Sequence, residues 1–278
     1  MARMSLPSAG YPLAAAVTPR LQVAETIDST NAKLLRDAGD DPDGHPHLSA
    51  LVTTDQRAGR GRLDRSWTTP PGTALAVSVL LDVGAVATAD RGWIPLIAGA
   101  AMRRAVADQL TGLEVALKWP NDVLVDGLKI SGILAEVLAG DPHRVVVGAG
   151  VNTAMASVDL PVPTATSFAA LGRTADDDRL LAEYLTVLRD GVAALAVSGA
   201  AGVRDRIEEV CATLGSDVAV TLPDGTALTG RAERLDAEGR LVVASAGVES
   251  VVSAGDVVHV RGRRAGAGAS EASDTMEA

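Results

Sequence analysis

The chain has 278 residues, 47% of them hydrophobic, and a net charge of −10 from 25 Lys and Arg against 35 Asp and Glu. That length and apolar content fill one large domain, or a large domain with a small companion, and with aromatics at 2% the core must be built from Ala, Val and Leu. An isoelectric point near 4.9 excludes wholesale binding to nucleic acid or to an anionic membrane. The single cysteine, Cys211, excludes an internal disulfide framework and fits a reducing compartment.

In chain order, residues 1–20 are rich in Ala, Pro and Ser and read as a loose arm. Met1 to Val17 has no signal-peptide pattern, and no run approaches the roughly 18 apolar residues of a membrane span, so the expected location is the cytoplasm. A strand is expected at Leu21-Gln22-Val23. Asp28-Ser29-Thr30-Asn31 offers N-cap residues for a short helix, and a helix start is also an anion site, so capping and ligand roles can coexist here. A strand at Ser49 to Thr53 runs into Asp55-Gln56-Arg57-Ala58-Gly59-Arg60-Gly61-Arg62-Leu63-Asp64-Arg65-Ser66-Trp67. Four arginines and two glycines in an acidic protein suggest a local site for a small anion, with forked guanidinium hydrogen bonds and close backbone approach.

Ala74 to Leu81 is apolar throughout and reads as a buried strand, and Trp93 to Leu110 as an amphipathic helix with Pro95 in its first turn. Asp126-Gly127 between two apolar runs is a strong hairpin signal. A two-residue loop pairs Val125 with Leu128, Leu124 with Lys129, Val123 with Ile130 and Asp122 with Ser131. Asp122, Leu124, Lys129 and Ser131 then share one face, with Asp122 diagonal to Lys129. Val145-Val146-Val147 leads to Gly148-Ala149-Gly150-Val151-Asn152, a strand end where backbone approaches a ligand or forms a bulge. It lacks the third glycine and the helix of a dinucleotide fingerprint, and no Walker-type phosphate loop is present. His45 and His47 have no further ligand at metal spacing.

Two helices follow, one with Leu180 to Leu195 on a single face after Asp176-Asp177-Asp178, the other carrying Val203, Ile207, Val210, Cys211 and Leu214. From Asp217 the pattern changes to about five short strands, which make a small barrel or sandwich. The boundary falls near Leu214-Gly215-Ser216, and the Gly, Ala, Ser and acid-rich tail reads as disordered. The division expected is therefore 1–20 arm, 21–214 large domain, 215–262 small domain and 263–278 tail.

Asp28 to Asn31, Gln56, Gly59-Arg60-Gly61-Arg62 with Arg65 and Trp67, Lys118-Trp119-Pro120-Asn121-Asp122, Lys129-Ile130-Ser131-Gly132-Ile133-Leu134 and Gly148 to Asn152 stand in an order and spacing that resembles the biotin–protein ligases (biotin–acetyl-CoA-carboxylase ligases) of the short type, without a DNA-binding domain. The resemblance covers residues from about 21 to 261. It implies an α+β fold: a mixed-sheet biotin/lipoate ligase-like catalytic domain followed by a small SH3-like β-barrel. It implies biotin and ATP as substrates, Mg²⁺ carried mainly by the ATP phosphates, and a biotin carboxyl carrier domain of acyl-CoA carboxylases as partner.

Carried over by position, Ser29, Thr30, Asn31 and Gln56 would bind the biotin ureido end, with Gly59, Arg60 and Gly61 along the ligand and Gly132, Gly148 and Gly150 giving backbone against biotin. Arg62 would hold the adenylate phosphate and Arg65 the triphosphate; Trp67, Asn121 and Asn152 would lie near the nucleotide. Lys129 would bridge biotin carboxylate and α-phosphate. Asp122 would serve Mg²⁺ or the incoming amine. Asp64 departs from the pattern, where the loop often has another glycine, and is expected to slow ordering of the loop without abolishing activity. Lipoate transfer is the alternative on the same fold, disfavoured by the arginine loop and the Lys118-to-Asp122 motif. The stretch before Ser29 offers no helix pair or basic recognition pattern for DNA.

Overall fold

The computed structural model describes residues 10–62, 65–222, 225–253 and 255–260. The expected tail, the first nine residues and Asp64 lie outside the described residues.

The arm is anchored where a loose segment was expected. Helix α1 (Pro12–Ala15) follows Tyr11, which is buried together with Ala14. Asp178 accepts the Leu13 and Ala14 amides at 3.0 and 2.9 Å. The burial of one aromatic ring and a carboxylate on two free amides offset the ordering cost that composition alone suggested.

The elements that follow are β1 (Leu21–Val23), α2 (Thr30–Asp40), β2 (Ala50–Thr53), β3 (Gly59–Arg60), β4 (Ser66–Trp67) and β5 (Ala74–Asp82). A 3₁₀ turn (Thr88–Trp93) then enters α3 (Ile94–Ala107), followed by β6 (Val115–Lys118), β7 (Asp122–Val125), β8 (Leu128–Leu138) and β9 (Asp141–Asn152). Next come α4 (Asp177–Ser198), α5 (Arg204–Glu209) and five strands: β10 (Asp217–Thr221), β11 (Ala227–Leu235), β12 (Leu241–Ser245), β13 (Val248–Val252) and β14 (Asp256–His259).

A seven-stranded mixed sheet runs β1-β2-β5-β9-β8-β7-β6, parallel between β1 and β2 and antiparallel elsewhere. Strand alternation gives this sheet two different faces. Leu75, Val77, Val79 and Leu81 of β5, Val145, Val147, Ala149 and Val151 of β9, and Ile130 and Ile133 of β8 join α3 and α4 in the main core. On the other face Leu80 and Val146 meet Leu34 and Ala38 of α2 in a smaller cluster. Further along that second face, past the apolar contact with α2, stand Ala76, Gly132, Leu134, Gly148 and Gly150, which line a cleft.

The Asp126-Gly127 turn forms as expected, both residues at positive φ, with Val125 opposite Leu128 and Leu124 opposite Lys129. The register then shifts, so Val123 faces Ser131 and Asp122 faces Gly132. One extra residue in β8 makes a bulge. Ser131 is therefore turned inward and buried, and Gly132, not Ser131, shares the face of Asp122 and Lys129.

The second expected helix also stops early. α5 ends at Glu209, because the Val210 carbonyl accepts the Leu117 amide and the Ala212 amide donates back to the Leu117 carbonyl, each at 2.8 Å. Residues 210–212 thus pair with the edge strand β6 and bury Cys211, whose thiol pKa burial pushes up.

The C-terminal strands form an SH3-like antiparallel unit in the order β13-β12-β11-β10-β14, and its apolar side chains join the main core. Trp93 Nε1 donates to the Ala237 carbonyl at 2.9 Å and Trp119 Nε1 to Gly239 at 3.1 Å. Arg204 donates to the Leu235 and Asp236 carbonyls and stacks on Trp93, 5.1 Å from its centroid. These contacts hold the unit so that the start of β14 faces the cleft. No helix among the described residues is long and apolar enough to cross a membrane.

Asp176 caps α4 by accepting the Arg179 amide, but the next residue, Asp177, is partly buried, and burial beside Asp176 raises its pKa to about 6. A raised carboxylate pKa leaves the folded state paying for ionisation, a cost absent below the ordinary value near 3.8 and complete above about pH 6. Asp177→Asn should therefore stabilise the protein by about 3 kcal/mol at pH 8 and by about 1 kcal/mol at pH 4.5 in urea unfolding; a gain independent of pH would contradict this.

Candidate active site

The first turn of α2 forms one wall. Ser29 Oγ accepts the Ala32 amide at 3.3 Å as N-cap, and the cap residue also lines the cleft, so the two readings of this stretch coexist. Gln56 Oε1 accepts both the amide and the hydroxyl of Thr30, at 2.8 and 3.0 Å. Asn31 donates through Nδ2 to the Leu134 carbonyl and to Glu136, at 3.2 and 2.8 Å, while its Oδ1 accepts from Ser78 at 2.5 Å. Thr30, Asn31 and Gln56 are buried, so their polar groups are held in fixed directions.

The arginine loop forms the opposite wall. It is a small ribbon in which Gly59 pairs with Trp67 and Arg60 with Ser66, closed by the Gly61 amide on the Arg65 carbonyl at 2.6 Å. A Cβ on Gly59 would stand 2.2 Å from the Trp67 carbonyl, so this glycine is required by the ribbon itself. Arg62 donates to Asn121 Oδ1 at 3.1 Å, and Asn121 Nδ2 in turn donates to the Ile133 carbonyl at 2.8 Å. Burial pushes the Arg62 pKa down, against the opposing attraction of Asp122 and Asp256. Arg65 is paired with Asp256 at 2.5 Å, and this hydrogen-bonded pairing raises the arginine pKa and lowers that of the aspartate. Lys129 Nζ lies 2.5 Å from Asp122 Oδ1.

Between the walls is a cleft of about 170 Å³. Of the residues singled out from sequence, Ser29, Thr30, Asn31, Gln56, Arg60, Gly61, Arg62, Arg65, Trp67, Asn121, Asp122, Lys129, Gly132, Gly148 and Gly150 all reach it. Gly59 and Asn152 are not on its wall. Asn152 is buried and donates to the Thr166 carbonyl at 2.9 Å, holding the loop after β9.

The three cleft glycines on the central sheet make room for side chains of the site. A Cβ would fall 2.2 Å from Asn31 Oδ1 at Gly148, 2.5 Å from the Trp67 ring at Gly150 and 3.2 Å from Lys129 Nζ at Gly132. Residues not singled out from sequence also line the cleft, including Ala76, Lys118 and Gly255-Asp256-Val257. Lys118 stood inside a motif; the Arg65–Asp256 pair, 191 residues apart in sequence, had no local signal.

A mixed sheet with a polar pocket under a helix start, a cationic mouth and a C-terminal β unit over that mouth defines the class of the biotin and lipoate protein ligases. The chain matches the biotin/lipoate A/B protein ligase family over residues 23–152 and the biotin protein ligase C-terminal domain over residues 213–260. It is 39% identical to the biotin–[acetyl-CoA-carboxylase] ligase of Mycobacterium tuberculosis, an alignment covering 87% of this chain and 90% of that one. It is 30% identical to the bifunctional ligase/repressor BirA of Escherichia coli, over 81% of this chain and 70% of that one. In fold it is similar to the Aquifex aeolicus biotin protein ligase solved with biotin and ATP, with a TM-score of 0.73 at 24% identity, covering 87% of this chain and 99% of that one. This chain belongs to the biotin–protein ligase family.

Trp93 and Trp119 are buried, and Trp67 alone of the three tryptophans is partly exposed. Gly150→Ala would push a Cβ against the Trp67 ring, so it should move that indole into water and shift the tryptophan emission to the red. An unchanged spectrum would show that Trp67 does not rest on β9 in solution.

Proposed function

We propose that the protein is an ATP-dependent biotin–protein ligase that converts biotin and ATP into biotinyl-5′-AMP and pyrophosphate, then transfers the biotinyl group to a specific lysine of a biotin carboxyl carrier domain of acyl-CoA carboxylases. The observation that carries the reading is the division of one cleft into two ends. Thr30, Gln56 and Asn31 form a buried, neutral, hydrogen-bonding end; Arg62, Arg65, Lys118 and Lys129 form a cationic one. A ligand with a neutral polar head and a carboxylate tail fits that polarity, and so does a triphosphate arriving at the tail. The names of the curated relatives support the same reading.

A carboxylate is a poor acyl donor, and its attack on a triphosphate brings two anions together. In the first step a biotin carboxylate oxygen bonds the α-phosphorus as the bond to pyrophosphate breaks; in the second an amine nitrogen bonds the acyl carbon as AMP leaves. Lys129, held at the mouth by Asp122, passes to the ligand and neutralises charge shared by carboxylate and α-phosphate in both steps. Arg62, carried on Asn121, holds the adenylate phosphate, and Arg65 the outer phosphates. Asp122 and Asp256, the carboxylates at this end, are each engaged by a cation. Mg²⁺ would be carried mainly by the ATP phosphates, and Asp122, released when Lys129 passes to the ligand, is the carboxylate that would serve the ion or the incoming amine.

In this reading residues 21–214 are the catalytic unit, and residues 215–262 close over the nucleotide end through the start of β14. An acidic surface with a local cationic mouth suits a carrier protein and not nucleic acid, and ATP as a substrate supports a cytoplasmic location.

Mixing the protein with ATP, Mg²⁺ and biotin should release pyrophosphate, lipoate should not replace biotin, and Lys129→Ala should lower the rate by about 100-fold or more. Release without biotin, or equal release with lipoate, would overturn the reading.

A further inference from the structure

The cleft face of β8 carries a charge at each end. It begins at Lys129, passes Gly132 and Leu134, and ends at Glu136, the next outward position by alternation. Lys129 is paired with Asp122 at the mouth. Glu136 lies at the closed end, outside the cleft lining itself, and is only partly exposed. Its two carboxylate oxygens receive Arg60 at 2.9 and 3.0 Å, and one of them also accepts Asn31 Nδ2 at 2.8 Å. Arg60 and Asn31 both line the cleft.

Without Glu136, Arg60 would be an unpaired cation at the end where Thr30, Gln56 and Asn31 form a neutral set. An anionic group would then be attracted to either end of the cleft. With Glu136 present that end sums to zero, and net positive charge is confined to the mouth. The carboxylate also fixes the Asn31 amide: both Nδ2 donors are taken by protein, which leaves Oδ1 to accept from Ser78, and Ser78 Oγ also lies 2.8 Å from Thr30 Oγ1. The Ser78 proton goes to Asn31 and the Thr30 proton to Gln56, so hydrogen bonds run from Arg60 through Glu136 and Asn31 to Ser78, whose Oγ lies against the Thr30–Gln56 pair.

We propose that Glu136 is a positioning and specificity-determining residue: by neutralising Arg60 and aligning Asn31 it restricts the cleft to ligands with a neutral polar head and a single anionic tail, inserted head first. The proposal rests on the biotin reading of the site and adds the charge rule that selects and orients the ligand. Ser78, assigned no role by the sequence motifs, is the hydroxyl that fixes Asn31 Oδ1.

The test uses the full chain and direct competition against labelled biotin by two probes of similar length, decanoate with one anionic end and decanedioate with two. The wild-type protein should favour decanoate. Glu136→Gln keeps the shape and frees the Arg60 charge, so it should shift the decanoate-to-decanedioate preference about tenfold toward the diacid. It should also raise KM for biotin while leaving kcat for pyrophosphate release within about twofold, since the reacting end is untouched. The double variant Glu136→Gln/Arg60→Gln restores neutrality and should return the preference to the wild-type value. Arg60→Gln alone leaves Glu136 unpaired and should move it the opposite way, which serves as the test if Glu136→Gln does not fold.

A raised KM with unchanged preference in these variants would overturn the proposal, leaving Glu136 a structural residue. Wild-type protein that binds no biotin would instead overturn the functional reading, and this proposal with it.

Discussion

Cations converge on one end of a cleft in a protein of net charge −10, and each must be held until an anion arrives. Guanidinium and ammonium groups left unpaired would repel one another and prop the cleft open. The structure meets this with exchangeable partners: Asp122 on Lys129, Asp256 on Arg65 and the Asn121 amide on Arg62. These are exposed or half-exposed contacts, individually weak in water, which suits groups that must be surrendered to a ligand. Asp256 has a second consequence. It ties the arginine loop to the C-terminal sheet, so the small β unit forms part of the mouth.

The cleft exists because the central sheet is asymmetric. Its first face is continuous Val, Leu, Ile and Ala packed on α3 and α4, and this supplies the bulk of the hydrophobic stabilisation. The second face is apolar only where α2 covers it. Beyond the end of α2 the same strands carry Gly148, Gly150 and Gly132, whose missing side chains are replaced in space by Asn31, Trp67 and Lys129. The glycines thus bring polar, aromatic and charged groups from three elements down onto the sheet, and a ligand meets those side chains as well as the backbone.

Much of this was legible in the sequence. A strand stands at Leu21–Val23 and five short strands follow from Asp217, as expected, and the Asp126-Gly127 turn paired its nearest neighbours correctly. The bulge in β8 was not legible, because the extra residue, Ile130, is a β-branched residue that suits a regular strand. Its effect was to exchange Ser131 for Gly132 on the cleft face. The early end of α5 depends on β6 offering its edge to residues 210–212, a pairing that helical periodicity cannot reveal. Residues inside contiguous motifs, such as Arg62, Asn121, Asp122 and Lys129, could be named from their order in the chain. Asp256, Glu136 and Ser78 could not, since each is defined by a partner far away in sequence.

Internal partners at the mouth are traded for ligand anions, while those at the closed end stay in place. The most direct measurement is a structure of the protein with biotinyl-5′-AMP. Lys129 should have moved from Asp122 to the acyl phosphate, with Arg62 on the phosphate and Arg60 still paired with Glu136 beside the ureido head. A ligand lying with its phosphate toward Glu136, or a Lys129–Asp122 pair left intact beneath the bound adenylate, would contradict it.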